Sequence, residues 1–295
     1  MSNFPSISDL LGLCKLKVVA LILLTAVVGM LLSVPYIPDI ALMIYATVGI
    51  GMASASAAVF NHVIDEEIDQ KMKRTDQRPL PQQKVTRTQA LIWGFFLGVV
   101  GLGILILKVN FITAVLTFIS LIGYAVIYTM YLKRATPQNI VIGGAAGAAP
   151  PVLGWTAITN DIHGYALLLF LIVFIWTPPH FWALAIYRYE DYKKVDMPML
   201  PVTHGIAYTR VQILLYTILL IVVTMLPYLT GMAGLIYLIS AVVLGLIFLV
   251  YAIKIMRETD NPKVSLATFL YSVNYLMLLF IALLADHYLL KPIVF

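Results

Sequence analysis

The sequence predicts an all-α integral membrane protein with nine transmembrane helices. Of its 295 residues, 61% are hydrophobic and only 11% are charged, and the mean hydropathy is +0.95. Soluble domains carry about 25% charged residues, so this composition excludes an ordinary soluble protein. The chain also contains nine apolar stretches of about 20 residues each, which is the length that crosses a bilayer.

The predicted spans follow one another along the whole chain. They lie near residues 18–36, 40–60, 89–107, 111–131, 140–158, 164–186, 211–230, 233–253 and 266–288. We interpret the first span as a retained helix rather than a secretory signal, because no convincing small-residue cleavage site follows it and eight further spans do. A single transmembrane domain over residues 1–295 is therefore expected.

Lysine and arginine determine the predicted orientation. With the N-terminus placed inside, only Lys108 and Lys291 of the 19 basic side chains fall in segments assigned to the outside. Membrane proteins retain positive charge on the cytoplasmic side. We therefore expect the N-terminus in the cytoplasm and the C-terminus outside. The net charge of +5 is explained by this loop bias, and no nucleic-acid partner is expected.

Two long cytoplasmic segments, the motif loops at 61–88 and 187–210, distinguish the inner side of the predicted protein from the outer side. Most of the acidic residues lie on this side, whereas the external connections are short. Loops held on a rigid scaffold tend to carry functional sites. Function is therefore expected at the cytoplasmic face.

The first motif loop begins with three polar residues, Asn61, Asp65 and Asp69, spaced four apart. On an α-helix this spacing keeps them on one face, where the carboxylates repel each other unless a cation neutralises them. Oxygen-only ligands favour Mg²⁺. The alternative is a solvated helix end, in which the aspartates pair with Lys71 or Lys73.

A second acidic cluster lies in the loop that follows the sixth span. Asp191 and Asp196 are its candidate metal ligands, and Tyr187 stands one turn before Asp191. Basic residues near both clusters suit the phosphate oxygens of a diphosphate bridged by Mg²⁺. The candidate diphosphate contacts are Lys73, Arg74, Lys133, Arg134, Tyr187, Lys193 and Lys194. For the basic pair after span four, anchoring at the membrane surface is the alternative.

Apolar helices lie directly beneath these charges. A fitting substrate therefore has a charged head at the surface and a hydrocarbon tail within the bundle. A polyprenyl diphosphate has this form.

With these motifs the sequence resembles the UbiA superfamily of intramembrane prenyltransferases. The N-x-x-x-D-x-x-x-D motif matches fully at positions 61, 65 and 69, and "GAAPPVLGW" and "PPHFWALAIYRYEDY" resemble its haem-farnesylating branch. Many members carry a second D-x-x-x-D, whereas here Asp191 is followed at that spacing by Val195, and the next acid is Asp196. Asp191 is therefore favoured over Asp196 as a metal ligand.

The resemblance implies nine helices around a central cavity that the two motif loops close on the cytoplasmic side. It implies transfer of a farnesyl group from farnesyl diphosphate to a vinyl group of haem B, which gives haem O, in a bacterial inner membrane. The implied cofactor is Mg²⁺ on Asn61, Asp65, Asp69 and Asp191. Haem A synthase or the assembly of a terminal oxidase is the implied downstream partner.

Two histidines are candidates for binding haem. His180 lies within the sixth span, where an ionisable residue is functional by default, and imidazole is a common ligand of haem iron. The alternative is a histidine bonded to a backbone carbonyl freed by Pro178 or Pro179. His62, beside the first motif, is the second candidate.

The small residues at 143–154 predict close packing between membrane helices. The alternative is that they leave room for a porphyrin or a prenyl tail.

Two other functions remain open from the sequence. A prenyltransferase acting on 4-hydroxybenzoate or another quinone precursor would use the same metal site. A membrane transporter is the second alternative, which is disfavoured because the acids cluster at one face and not at the midplane.

Overall fold

The computed structural model describes residues 5–72, 75–257 and 262–289, and all regular structure within these ranges is helical. In chain order the helices are α1 (Ile7–Leu13), α2 (Leu16–Leu32), α3 (Ile40–Lys71), α4 (Arg87–Lys108), α5 (Phe111–Ile122), a π-helix (Gly123–Leu132), α6 (Lys133–Ala135), α7 (Asn139–Ala148), α8 (Pro150–Thr159), α9 (Gly164–Tyr187), α10 (Tyr189–Lys193), α11 (Leu200–His204), α12 (Ile206–Leu229), α13 (Leu235–Met256) and α14 (Lys263–Leu289).

The predicted all-α membrane fold is confirmed. Eight helical spans in the described ranges are long and apolar enough to cross a bilayer, and a ninth is formed if α1 and α2, bent by 58° at their junction, count as one span. The helix faces that lack protein neighbours are apolar, as with Phe95, Val99 and Ile106 of α4. A surface of this kind is stable in hydrocarbon, so the chain is an integral membrane protein.

Side-chain caps determine where several spans begin. The Asp39 carboxylate accepts from two backbone N–H groups in the first turn of α3. A reciprocal capping box of Thr86 and Gln89 starts α4, and the side chain of Asn110 caps α5. Such caps satisfy the N–H groups that have no partner within the helix.

The second predicted span is longer than expected, and this places the first motif on a helix. Helix α3 has 32 residues and continues to Lys71, so the motif loop predicted to begin at residue 61 begins after α3. Burial explains the difference, because Asn61, Asp65 and Asp69 are inside the protein. The predicted loop 187–210 also contains the short helices α10 and α11, and α12 already begins at Ile206.

Small residues allow close contact between helices. A Cβ added to Gly154 of α8 would lie 1.9 Å from the Ala26 carbonyl oxygen of α2. Gly143 and Gly144 likewise lie directly against side chains of neighbouring helices, whereas Gly147 has open space beside it. The predicted close packing of 143–154 is therefore confirmed at three of its four glycines.

The first and last spans contact each other. At the end of α14, His287 Nε2 lies 2.9 Å from the Val34 carbonyl oxygen, and the Tyr288 hydroxyl donates to the Leu31 carbonyl at 2.8 Å. Leu31 belongs to the last turn of α2, where helical carbonyls lack intrahelical partners, and Val34 follows the C-cap residue Ser33. The bundle is thus closed between α14 and α2.

Candidate active site

The first motif forms a buried polar face on α3. Asn61, Asp65 and Asp69 expose only 3%, 1% and 4% of their surface. The Asn61 side-chain amide donates from Nδ2 to Asp65 Oδ2 at 2.9 Å. Buried polar groups of this kind need partners, because an isolated charge in a protein interior is strongly unfavourable.

Cations from distant parts of the chain contact this face. Lys133 Nζ lies 2.5 Å from Asp65 Oδ2, and Arg78 Nη1 lies 2.5 Å from Asp69 Oδ2. The structure gives these aspartates partners other than Lys71, and Lys73 lies outside the described residues. Both aspartates are held in buried ion pairs, so the motif is part of the protein interior and not a solvated helix end.

A third cation, Lys15, donates to Asn61 Oδ1 from the junction between α1 and α2. Lys15 has a left-handed backbone with φ of 49°, which is uncommon for a residue other than glycine. Sequence reasoning missed both Lys15 and Arg78 as site residues, since each is only one basic residue among 19. The left-handed backbone of Lys15 is visible only in the structure.

An open surface cleft of about 730 Å³ reaches two of these cations, Lys15 and Arg78. Its lining includes Lys15, Lys17 and Arg78 together with the apolar residues Leu11 and Leu16. The cleft therefore combines positive charge with an apolar wall beside the buried motif.

The π-helix contributes the polar residues that face the motif from the other side. Thr129 is fully buried, and its hydroxyl lies 3.2 Å from Asn61 Nδ2. Lys133 begins the short helix α6 directly after the π-helix. Segments with i→i+5 hydrogen bonding are rare in proteins, and those that occur are frequently found at functional sites.

The donor atoms of the motif fit a hard divalent cation. Asp65 Oδ1 is buried and has no hydrogen-bond partner, so this carboxylate has an unused ligand position. The other side-chain oxygen donors on this face are the Asn61 amide oxygen and the Asp69 carboxylate. An all-oxygen set with two carboxylates is typical of Mg²⁺ sites that also use substrate phosphates.

The second acidic cluster is not brought to the first. In the described part of the chain, no three His, Cys, Asp or Glu side chains are close enough together to hold a metal ion. Asp191 instead lies 3.6 Å from the guanidinium of Arg188. Asp196 is exposed and has a left-handed backbone with φ of 48°, which suits an aspartate in a turn. The metal roles of Asp191 and Asp196 stay predictions.

The two diphosphate contacts predicted after span four, Lys133 and Arg134, have different partners in the structure. Lys133 lies in the buried site, whereas the Arg134 guanidinium donates to the Ile64 carbonyl at 3.1 Å and so ties α6 to α3. Lys73 and Arg74 lie outside the described residues.

The contacts predicted from the second loop have local partners in the structure. Lys193 Nζ stands 5.6 Å from the ring centre of Tyr189, and Lys194 is exposed. The Arg188 guanidinium carbon lies 4.9 Å from the ring centre of Tyr187. Their diphosphate roles stay predictions.

His180, in α9, is surrounded by aromatic rings from α9 and α14. Its ring stacks on Trp176 and Phe269 at centroid distances of 4.2 and 4.5 Å, and its Nδ1 lies 2.6 Å from the Ser272 hydroxyl oxygen. The alternative in which His180 bonds a carbonyl freed by a proline is therefore wrong. His62 is also buried, and neither of its ring nitrogens has a hydrogen-bond partner.

The family of the chain follows from its similarity to known proteins. Residues 22–284 match the UbiA prenyltransferase family. The chain belongs to the UbiA prenyltransferase family. Among relatives of this UbiA protein are protoheme IX farnesyltransferases. That of Vesicomyosocius okutanii is 71% identical over 96% of this chain and 97% of its own length. That of Methylococcus capsulatus is 58% identical over 95% of this chain and 93% of its own length.

Solved structures of the UbiA fold superpose over nearly the whole chain. A digeranylgeranylglyceryl phosphate synthase has a TM-score of 0.80 at 19% identity, covering 96% of this chain and 98% of its own. A UbiA homolog from Archaeoglobus fulgidus, bound to GPP and Mg²⁺, has a TM-score of 0.63 at 13% identity, covering 93% of this chain and 99% of its own. At these identities the likeness establishes the fold.

Proposed function

We propose that the protein transfers the farnesyl group of farnesyl diphosphate to a vinyl group of haem B and so makes haem O. The observation that carries the choice of haem B is the 71% identity to a protoheme IX farnesyltransferase along almost the entire chain. The buried oxygen face on α3, surrounded by cations, supports a diphosphate as the donor group. The two relatives named above do not support the alternatives, which are prenylation of 4-hydroxybenzoate or another quinone precursor and transport across the membrane.

Asn61, Asp65 and Asp69 would hold Mg²⁺ through their oxygen atoms. When bound, Mg²⁺ supplies positive charge that stabilises the diphosphate as a leaving group. Lys133, Arg78 and Lys15 already lie against these residues, so they are in position to exchange their protein partners for phosphate oxygens. Charge-assisted contacts to phosphate are among the strongest hydrogen bonds in proteins.

Asp191 is proposed to complete the metal site from the second motif loop, with Tyr187, Lys193 and Lys194 on the diphosphate. This requires a movement of the loop, because Asp191 now pairs with Arg188. Asp196 would follow the same movement. Loop closure over a substrate is a common way to complete a catalytic site.

The proposed reaction breaks the bond between the farnesyl C1 atom and the diphosphate oxygen, and both electrons leave with the oxygen. The farnesyl carbon bonds to the terminal carbon of the haem vinyl group, and the cation moves to the vinyl carbon beside the porphyrin. Water adds its oxygen there and loses a proton, which gives the hydroxyl group. An apolar helix bundle excludes water until the carbon–carbon bond has formed.

The metal role is tested by release of diphosphate in inverted inner-membrane vesicles supplied with farnesyl diphosphate, haem B and Mg²⁺. Asp65→Asn and Asp191→Asn are expected to lower the rate by at least about 100-fold, since each loses a charged ligand. Glu67→Gln, an exposed residue on the same helix, is the matched control and should retain the rate.

The same vesicles test the cytoplasmic location proposed for the site. Farnesyl diphosphate is charged and does not cross the membrane, so inverted vesicles should react and right-side-out vesicles should not. Equal rates in both orientations would contradict a cytoplasmic site in the bacterial inner membrane.

In the metal test, normal release of diphosphate by Asp65→Asn would contradict the metal role of Asp65.

His62 and His180 are the proposed haem-binding residues. The unpartnered ring nitrogens of His62 favour a role in binding, whereas one nitrogen of His180 is engaged by Ser272. Titration with haem B, followed by the Soret absorbance, is expected to show weaker binding in His62→Ala and His180→Ala. Unchanged titration curves in both variants would exclude these histidines as ligands. The haem O produced is proposed to pass to haem A synthase or to a terminal oxidase.

A further inference from the structure

We propose that Thr129, on the π-helix, is a positioning residue that fixes the side-chain amide of Asn61 for cation binding. Thr129 touches no substrate in this role and acts through Asn61. The inference rests on the metal role proposed above for Asn61. It assigns a function to a residue that has no ionisable group and belongs to a different helix from the motif.

The hydrogen bonds of the Thr129 hydroxyl determine its role. Its Oγ1 lies 2.8 Å from the Tyr124 carbonyl oxygen and 3.2 Å from Asn61 Nδ2. A hydroxyl has a single proton, and a carbonyl can only accept. The proton therefore points to Tyr124, and the hydroxyl oxygen accepts from the Asn61 amide.

This arrangement uses both amide protons of Asn61. One is donated to Thr129 Oγ1 and the other to Asp65 Oδ2. The amide oxygen, Oδ1, consequently faces the opposite way and contacts the ammonium of Lys15. A reversed amide would direct its oxygen at the Asp65 carboxylate and its NH₂ group at the lysine, and both contacts would be repulsive. The oxygen is thus presented where a cation already lies.

Thr129 is the partner of Asn61 that does not have to change when a metal binds. Asp65 carries a charge, contacts Lys133 through the same oxygen that accepts from Asn61, and would itself become a metal ligand. Thr129 is neutral and fully buried, and it donates its hydroxyl proton to the Tyr124 carbonyl. It can therefore hold the amide while the charged groups around it exchange partners.

The π-helix makes this geometry available. A threonine hydroxyl in an α-helix bonds the carbonyl three or four residues before it. Here the accepting carbonyl belongs to Tyr124, five residues before Thr129, as the wider helix allows. The hydroxyl and the motif thus meet because this part of the span is not α-helical.

The test compares Thr129→Val, which removes the hydroxyl at nearly constant shape, with Thr129→Ser, which keeps it. The readout is equilibrium binding of Mn²⁺, a paramagnetic substitute for Mg²⁺, to the purified full chain in detergent with inorganic pyrophosphate. Loss of a residue that orients a metal ligand typically weakens metal binding by about 10–100-fold. We expect a loss in this range for Thr129→Val and a change below about twofold for Thr129→Ser. A role in packing alone would not separate the two variants in this way.

Each outcome decides between the possibilities. Wild-type affinity in Thr129→Val, or equal losses in the Val and Ser variants, would overturn the positioning role. Asn61→Ala is measured beside them, and unchanged Mn²⁺ affinity in that variant would overturn the metal role of Asn61 itself. If Thr129→Val does not fold, Thr129→Ala removes the same hydroxyl without a branched side chain, and its comparison with Thr129→Ser gives the decision.

Discussion

Asp65 and Asp69 are buried carboxylates whose charges are balanced by cations of the same chain. Removing charges from water is unfavourable, and a buried pair offsets this only with short, well-placed contacts. Here the aspartates come from one helix, and their partners come from the start of α6 and from the loop before α4. The ion pairs therefore link three parts of the chain at the proposed active site.

Replacing Lys133 with methionine should destabilise the metal-free protein. Asp65 would be left as an uncompensated buried charge, which typically costs about 3–5 kcal/mol. Thermal unfolding in detergent with EDTA is expected to show a clearly lower Tm for Lys133→Met. Mg²⁺ should raise the Tm more in this variant than in the wild type, because a cation at Asp65 replaces the missing ammonium.

The matched control for this substitution is Lys194→Met, since Lys194 is exposed on the same predicted face of the membrane. It should unfold at the wild-type temperature in both conditions. A Tm of Lys133→Met in EDTA equal to that of the wild type would show that Lys133 does not stabilise Asp65.

Only some residues of the site could be predicted from the sequence. The spacing of Asn61, Asp65 and Asp69 is local, so the sequence alone indicates a shared helix face. The partners Lys15, Arg78 and Thr129 come from other helices and loops, and their proximity depends on tertiary packing. Threonine in an apolar span carries no sequence pattern that separates it from a packing residue.

Close backbone contact between α2 and α8 is the clearest structural requirement at the scale of helices. Gly29 and Gly154 each lie so near the partner helix that an added Cβ would be 2.1 or 1.9 Å from a backbone oxygen. Backbone atoms cannot move aside as a flexible side chain can. Without a hydrophobic driving force between helices in lipid, such close packing is a main source of their association.

Gly154→Ala should therefore prevent normal assembly of the bundle. The new methyl group would overlap the Ala26 carbonyl, and we expect a strong loss of folded, monodisperse protein in size-exclusion chromatography after detergent extraction. Gly147→Ala, seven residues earlier in the chain, has no atom within 4 Å of the added Cβ and should behave like the wild type. Equal yields of the two variants would contradict the close approach of α2 and α8.

Two features of the helices could not be predicted from the sequence, namely the end of α3 and the π-helix. The second span was predicted to end near residue 60, yet α3 continues to Lys71, and the charges of Asp65 and Asp69 within it are compensated by distant side chains. The π-helix at Gly123–Leu132 has the same apolar composition as an ordinary span. It packs against α3 and α7, and hydropathy does not encode these contacts.

At the scale of the whole molecule, the membrane explains why the fold could be predicted well. Backbone polar groups cannot remain unpaired in hydrocarbon, so apolar stretches of sufficient length must be helical. The nine predicted stretches accordingly correspond to the helical spans of the structure, with α1 and α2 bent at Lys15. The position of the second motif loop depends on non-local contacts of polar residues, and Asp191 could not be placed from the sequence.

This UbiA protein is proposed to use haem B as the acceptor of a farnesyl group. The most direct measurement is mass spectrometry of the products formed by the purified protein in liposomes with farnesyl diphosphate and Mg²⁺. Haem B and 4-hydroxybenzoate would be supplied together as competing acceptors. We expect a haem product that is heavier by one farnesyl group and the elements of one hydroxyl, with hydroxybenzoate unchanged. Prenylated hydroxybenzoate together with unmodified haem B would contradict it.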